Sequence, residues 1–271
     1  MGSSTTVLIL SSWSWEPLTL LVLIAAAGLY GFGLNYCRRQ HGAGSTKPGQ
    51  VWYFAAGLFT LFIALQSPID TFSGQLFSMH MAQHLLMTLA APPLLLLGTP
   101  GCLLTPFINW HPRIRNVLAS LTSAAAAFLL FNGTLALWHI PFFYEATLQN
   151  SLVHELEHAL FFWTALLSWW PLLSPVPALP RLSYPAQILY IFMMVIPGAI
   201  LGAWLVFADR VLYPSYAAVP SLWNMTALED QQLGGLLMMV PGKMIYFTAL
   251  TIIFFRWFGQ EEEPAGGGQL L

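Results

Sequence analysis

Residues 75–98 read QLFSMHMAQHLLMTLAAPPLLLLG. The second half is nearly all leucine, alanine and proline, while the first half carries His80 and His84. A run of about 20 mostly apolar residues is long enough to cross the hydrocarbon core of a bilayer. An imidazole facing lipid has no good hydrogen-bond partner, so a pair of them must face the inside of a bundle or a water cavity. The stretch therefore reads as a membrane helix with a polar head, and the rest of the chain must supply what that head faces.

The composition agrees. Of 271 residues, 57% are hydrophobic and only 7% charged, with a mean hydropathy of +0.66. A soluble domain carries roughly a quarter charged residues. The formal net charge is -2 and no basic run is interleaved with aromatics, which sets nucleic acid aside as a partner. Cys37 and Cys102 are not a disulfide framework and are too few for a cysteine zinc site. The first sixteen residues lack Lys, Arg and a small-residue cleavage site, so the first apolar run reads as a retained helix rather than a secretory signal.

Seven stretches have the length and apolarity of spans: approximately 17–36, 49–66, 75–98, 117–138, 152–173, 185–207 and 231–256. The expected fold is all-α, a polytopic bundle of seven transmembrane helices forming one membrane domain over 1–258. The tail 259–271, GQEEEPAGGGQLL, reads as disordered. Pro92, Pro93, Pro197 and Pro241 fall within spans, which membrane helices tolerate when neighbours satisfy the freed carbonyls. The longest connection is 208–230. Arg38, Arg39, Lys47, Arg113, Arg115, Arg181 and Arg256 fall on one side of seven spans and only Arg210 on the other. The positive-inside rule then puts the N-terminus outside and the C-terminus, with its tail, in the cytoplasm. Trp13, Trp15, Trp52, Trp110, Trp138 and Trp223 fall near the interfaces as an aromatic belt.

On that topology five of the seven histidines share one membrane level. His80 and His84 sit four apart near the outer end of the third span, and His154 and His158 repeat the spacing in HELEH at the start of the fifth. Four-residue spacing puts each pair on one helix face. Glu155 and Glu157 interleave with the second pair. His139 follows Trp138 where the fourth span exits, and Glu229 and Asp230 open the seventh. Imidazole pairs with nearby carboxylates suit a transition metal, and Met79 and Met81 add thioethers that favour reduced copper. Lys243, past the midplane of the last span, is expected to snorkel towards the cytoplasm or to form a structural pair.

Three other readings share these residues. His154-Glu155-Leu156-Glu157-His158 is literally HExxH, which with zinc would make an intramembrane hydrolase with Glu157 or Asp230 as base. Histidines on facing helices could instead hold a haem iron. A lysine in the last of seven helices invites a retinal protein, but it sits within PGK and the third span lacks the carboxylates of a proton path.

The blocks HMAQHLLMTLAAPPLLLLGTP, LWHIPFFYEATLQNSLVHELEHALFFWTALLSWWPLL and ALEDQQLGGLLMMVPG resemble, in order and spacing, the CtaG family of bacterial cytochrome c oxidase assembly factors. The residues matching the family's blocks are His80, Gln83, His84, His139, His154, Glu157, His158, Asp230 and Gln231. The resemblance, from about residue 50 to 258, implies a multi-pass protein of the bacterial cell membrane that helps mature a haem-copper oxidase of the caa type. It further implies copper delivery or insertion, with oxidase subunits or other copper chaperones as partners. The expected metal set is His80, His84, His154 and His158, with Asp230 as ligand or orienter. Met79 and Met81 are expected as an entry site, with His139 and Glu157 beside them.

Overall fold

The computed structural model of the chain describes residues 11–219 and 224–262. The described residues are helices and connections, without a strand. The chain runs α1 (Pro17–His41), α2 (Pro48–Gln66), α3 (Pro68–Ser73), α4 (Phe77–Leu85), a π-helical turn (Leu86–Ala90) and α5 (Ala91–Gly98). It continues as α6 (Gly101–Ile108), α7 (Pro112–Leu121), α8 (Ala124–Trp138), α9 (Pro141–Gln149) and α10 (Ser151–Leu173). It ends with α11 (Tyr184–Val206), α12 (Pro214–Ala217), α13 (Ala227–Met239) and α14 (Pro241–Glu262). Proline occupies the first turn of many of these, where its missing N–H costs no helical bond.

Five helical stretches among the described residues are long and apolar enough to cross a membrane: 17–41, 48–66, 77–98, 184–206 and 227–260. The count is six if α7 and α8, which meet at 62°, form one bent span. The sequence led to seven. The difference is α10, which at 23 residues has the length but opens with His154, Glu155, Glu157 and His158. The expected single helix over 117–138 is broken: Ser123 caps α8 by accepting the Ala126 N–H, so α7 lies at an angle to it. The expected tail also changes, because α14 runs on through Gly259 to Glu262. The rest of that tail, and Trp223, lie outside the described residues.

Two local features place the core. Pro92 lacks the N–H that would bond the Thr88 carbonyl, and the chain widens into the π-helical turn just before it. The indole Nε1 of Trp169, on α10, donates to that carbonyl at 3.0 Å. At the other side, α13 is wedged between α4 and α11. A Cβ on Gly235 would stand 2.9 Å from the Gly202 carbonyl oxygen, and one on Gly234 would overlap the Phe77 ring. Only glycine lets these backbones approach so closely.

Cys37 and Cys102 are joined as a disulfide, tying the end of α1 to α6 across a sequence separation of 65. The sequence reading left them unpaired, since a lone pair of cysteines carries no spacing signal. Without this bridge α1 would be held weakly, for most of its apolar surface is exposed.

Candidate metal centre

Two capped helix starts build the site. Asn150 Oδ1 accepts the N–H groups of Leu152 and Val153 at 2.9 and 3.3 Å, fixing where α10 begins. His154, Glu157 and His158 then follow at helical spacings of three and four, on one inward face. Helix α4 is capped from a distance. Asp230, on α13, accepts the Phe77 N–H at 2.6 Å, the Ser78 N–H at 3.3 Å and the Ser78 hydroxyl. His80 and His84 follow within the next two turns, facing α10.

The facing imidazoles are close-packed. Ring centroids lie 4.3 Å apart for His80 and His84, 4.1 Å for His154 and His158, and 5.4 Å for His80 and His154. Between them stands Glu157, with 0% of its surface exposed. Its Oε2 is 3.5 Å from His80 Nε2 and its Oε1 3.7 Å from His84 Nε2. Neither carboxylate oxygen has a hydrogen-bond partner, nor does either ring nitrogen of His80 or His84. The Nε2 atoms of His154 and His158 are also unpartnered. Burying a carboxylate without hydrogen bonds costs several kcal/mol or more.

The residue types and orphaned atoms fit a metal ion. One ligand atom from each of His80, His154, Glu157 and His158 can be chosen so that all lie within 4.8 Å of one another. Atoms bonded to one ion at about 2.0–2.2 Å stand at most about 4.4 Å apart, so small side-chain rotations would close the set. Three imidazoles and a carboxylate suit copper, zinc or iron.

The other expected residues have distinct places. His84 touches the cluster through Glu157 and also lines a cavity of about 60 Å³. His139, the C-cap of α8, is 2% exposed and lines the same cavity. Its Nδ1 is 2.8 Å from the Leu135 carbonyl, which can only accept. Nδ1 therefore carries the proton, and the unpartnered Nε2 presents a lone pair. Asp230 stands outside the four-residue set, its oxygens accepting from the start of the helix that carries His80 and His84. Met79 and Met81, two residues apart, leave the helix on opposite sides. Met81 is buried among Phe77, Tyr144 and Tyr213 and reaches the cavity, while Met79 is only half-buried. Glu155, the glutamate of the literal HExxH, is exposed and also outside the set. Lys243 does not snorkel. Its Nζ donates to the Met238 carbonyl at 3.5 Å and lines the cavity with Asn132 and Tyr246.

Beside the cluster lie three tyrosines that sequence reasoning missed. The Tyr144 ring packs 5.2 Å from that of His80. Its hydroxyl lies 2.9 Å from that of Tyr216, which donates its own proton to the Ser73 carbonyl, so Tyr144 is the donor of the pair. Tyr213 donates to the His139 carbonyl at 3.0 Å. Gln83 donates to the Ala64 carbonyl and to Asp70, tying α4 to α2 and α3. The sequence signal was Pro141 and Pro214, helix-starting prolines in stretches read as connections.

Fold and site together define a polytopic helical membrane protein with a buried histidine–glutamate centre. The chain belongs to the family of cytochrome c oxidase caa3 assembly factors, Caa3_CtaG, which it matches over residues 28–260. It is similar to the uncharacterized proteins Mb0105 of Mycobacterium bovis and MT0111 of Mycobacterium tuberculosis, each 22% identical over 278 residues, 95% of this chain and 41% of theirs. It is also similar to ML1998 of Mycobacterium leprae, 23% identical over 270 residues, 93% of this chain and 40% of that protein. The chain thus spans about two fifths of the length of these relatives. No solved structure matches.

Proposed function

We propose that this membrane-embedded assembly factor binds copper at the buried centre and assists its delivery to, or insertion into, a haem-copper oxidase of the caa3 type. One observation carries the metal reading: a fully buried carboxylate with no hydrogen-bond partner, ringed by imidazoles whose Nε2 atoms are likewise unpartnered. His80, His154, Glu157 and His158 hold the ion. His84 and His139 offer positions on the adjoining cavity, where the Met81 thioether suits the reduced metal. Family membership favours copper over zinc, because the oxidase being assembled consumes copper. The partners are oxidase subunits or copper chaperones that bring the ion.

In this reading the chain crosses the bacterial cell membrane seven times, α10 included, with the N-terminus outside. Seven of the nine Lys and Arg residues then face the cytoplasm. The Cys37–Cys102 bridge also falls at that end, where disulfides rarely persist. Reversing the chain would move the bridge outside at the expense of all seven basic residues, so charge carries the assignment. Fusions of a reporter active only outside the cytoplasm, joined after Gln149 and after Arg115, read it directly: activity is expected only at the first.

The rival readings are weaker on geometry. For a hydrolase, Glu157 stands among the ligand atoms, Asp230 already accepts from Phe77 and Ser78, and Glu155 is exposed outside the set; for a haem, a cavity of about 60 Å³ is far below the about 300 Å³ at which small-ligand pockets begin. Elemental analysis and an absorption spectrum of the purified protein, loaded in turn with copper and zinc, test the proposal. Copper is expected to bind and to be lost in the His84→Ala, His158→Ala double variant. A protein that takes up no copper, or a double variant with unchanged uptake, overturns it.

A further inference from the structure

At the end of the bundle remote from the metal centre, a groove of about 580 Å³ opens between α2, α5, α10, α11 and α14. Its length is apolar, walled by Leu97, Leu172, Ala249 and Ile252. Its mouth is not: Arg181, from the connection before α11, and Arg256, near the end of α14, both line it with Tyr184. Among the described residues neither arginine forms an ion pair with a carboxylate.

We propose that this groove seats one anionic phospholipid, its phosphate held between Arg181 and Arg256 and an acyl chain laid along the apolar wall. The order of chemistry along the groove, two cations at the mouth and hydrocarbon behind them, is that of such a lipid. The two guanidiniums repel each other, and among the described residues neither has a carboxylate as counter-charge. A phosphodiester supplies it, and guanidinium matches phosphate oxygens in a bidentate fork. Basic pockets between membrane helices recognise anionic headgroups on this ground.

The site is held ready. Arg181 Nε donates to the Ser174 carbonyl at 2.9 Å, which fixes the stem and leaves the terminal nitrogens for a ligand. The connection that carries it is folded back on α10, with the Leu182 N–H on the Pro171 carbonyl at 2.9 Å and the Ser174 hydroxyl on the Leu179 carbonyl at 2.5 Å. Burial against the groove wall pushes the Arg181 pKa below the usual arginine range, and the charge of Arg256 adds to the lowering. A bound anion counters the repulsion from Arg256 and favours the charged guanidinium. Preorganisation of this kind lowers the ordering cost of binding. The inference rests on the helices lying in a bilayer and is independent of the metal centre.

The test uses the full chain, delipidated in detergent and titrated with phosphatidylglycerol or with phosphatidylcholine of the same acyl chains, read by native mass spectrometry. One phosphatidylglycerol is expected to be retained in preference to phosphatidylcholine. The Arg181→Gln, Arg256→Gln double variant is expected to bind it about 30-fold more weakly, from the share each interfacial basic residue contributes to an anionic membrane surface. Ala249→Phe, which fills the wall and keeps both arginines, is also expected to weaken retention, and it decides the matter if the double variant does not fold. Equal retention of the two lipids, or wild-type retention by Ala249→Phe or a folded double variant, overturns the proposal. So does displacement of the lipid by millimolar inorganic phosphate, which would mark a site for the anion alone.

Discussion

Asp230 accepts the backbone N–H of Phe77 at 2.6 Å across 153 residues of chain, so a carboxylate on α13 caps the helix that carries His80 and His84. A cap normally comes from the residue before the helix, but here that residue is Leu76, which has no side-chain acceptor. The imidazole-bearing helix α4 thus depends on a distant helix.

Replacing Asp230 is expected to weaken metal binding without removing a ligand. Asp230→Ala leaves the Phe77 and Ser78 donors without their acceptor, at a cost of about 1–3 kcal/mol. Copper affinity should fall while the number of ions bound at saturation stays unchanged. Asp230→Asn, which keeps one acceptor oxygen, should lie between. Competition titration with a chelator separates affinity from stoichiometry, and a lowered stoichiometry would place Asp230 in the ligand set instead.

Glu157→Gln should move stability and binding in opposite directions. The glutamine keeps the shape but removes a buried charge that has no hydrogen-bond partner. The metal-free variant should therefore melt at a higher temperature than wild type, by the equivalent of about 1 kcal/mol or more. Its copper affinity should drop at least tenfold, because an amide oxygen replaces a carboxylate. Thermal melts in detergent, with and without copper, read both. A variant destabilised in the absence of metal would show that Glu157 serves the fold.

Trp169→Phe keeps the ring in the core, where it stacks 5.4 Å from Tyr246, and removes only the donor to the Thr88 carbonyl. That carbonyl has already lost its helical partner to Pro92. A buried carbonyl left without a donor costs about 1–3 kcal/mol. The expected result is a lower melting temperature, with Pro92→Ala in the same background restoring part of the loss by resupplying an N–H.

Gly235→Val should separate α11 from α13. The added Cβ would meet the Gly202 carbonyl and Leu205 Cβ, each at 2.9 Å, and neither is the free end of a flexible chain. Overpacking of this kind costs about 1–3 kcal/mol. Because α13 carries Asp230, copper affinity should fall together with stability. Gly31→Val, on the exposed first helix with open space around it, is the control and should change neither.

Much of this protein was legible in the chain itself. Hydrophobic length alone located the helical stretches 48–66, 77–98 and 184–206 to within two residues, because a bilayer tolerates little else, but it did not show the breaks at Ser123 and Val240. Four-residue spacing put His80 with His84 and His154 with His158 on common faces, and the prolines that open α3, α7, α9 and α12 were there to be read. Helix geometry enforces these relations locally, so no partner is needed to see them.

Other relations required the tertiary structure, because each depends on which helix packs against which. Periodicity cannot say that Glu157 rather than Glu155 faces the histidines of α4, since both glutamates lie within the same turn and only the neighbouring helix distinguishes their sides. Nor can it say that Asp230 caps α4, that Trp169 replaces the proton missing at Pro92, or that Lys243 turns into a cavity beside His84. The sequence determined that a pair of imidazoles had to face inward. Packing decided that a second pair, and a carboxylate with no other partner, would meet them there.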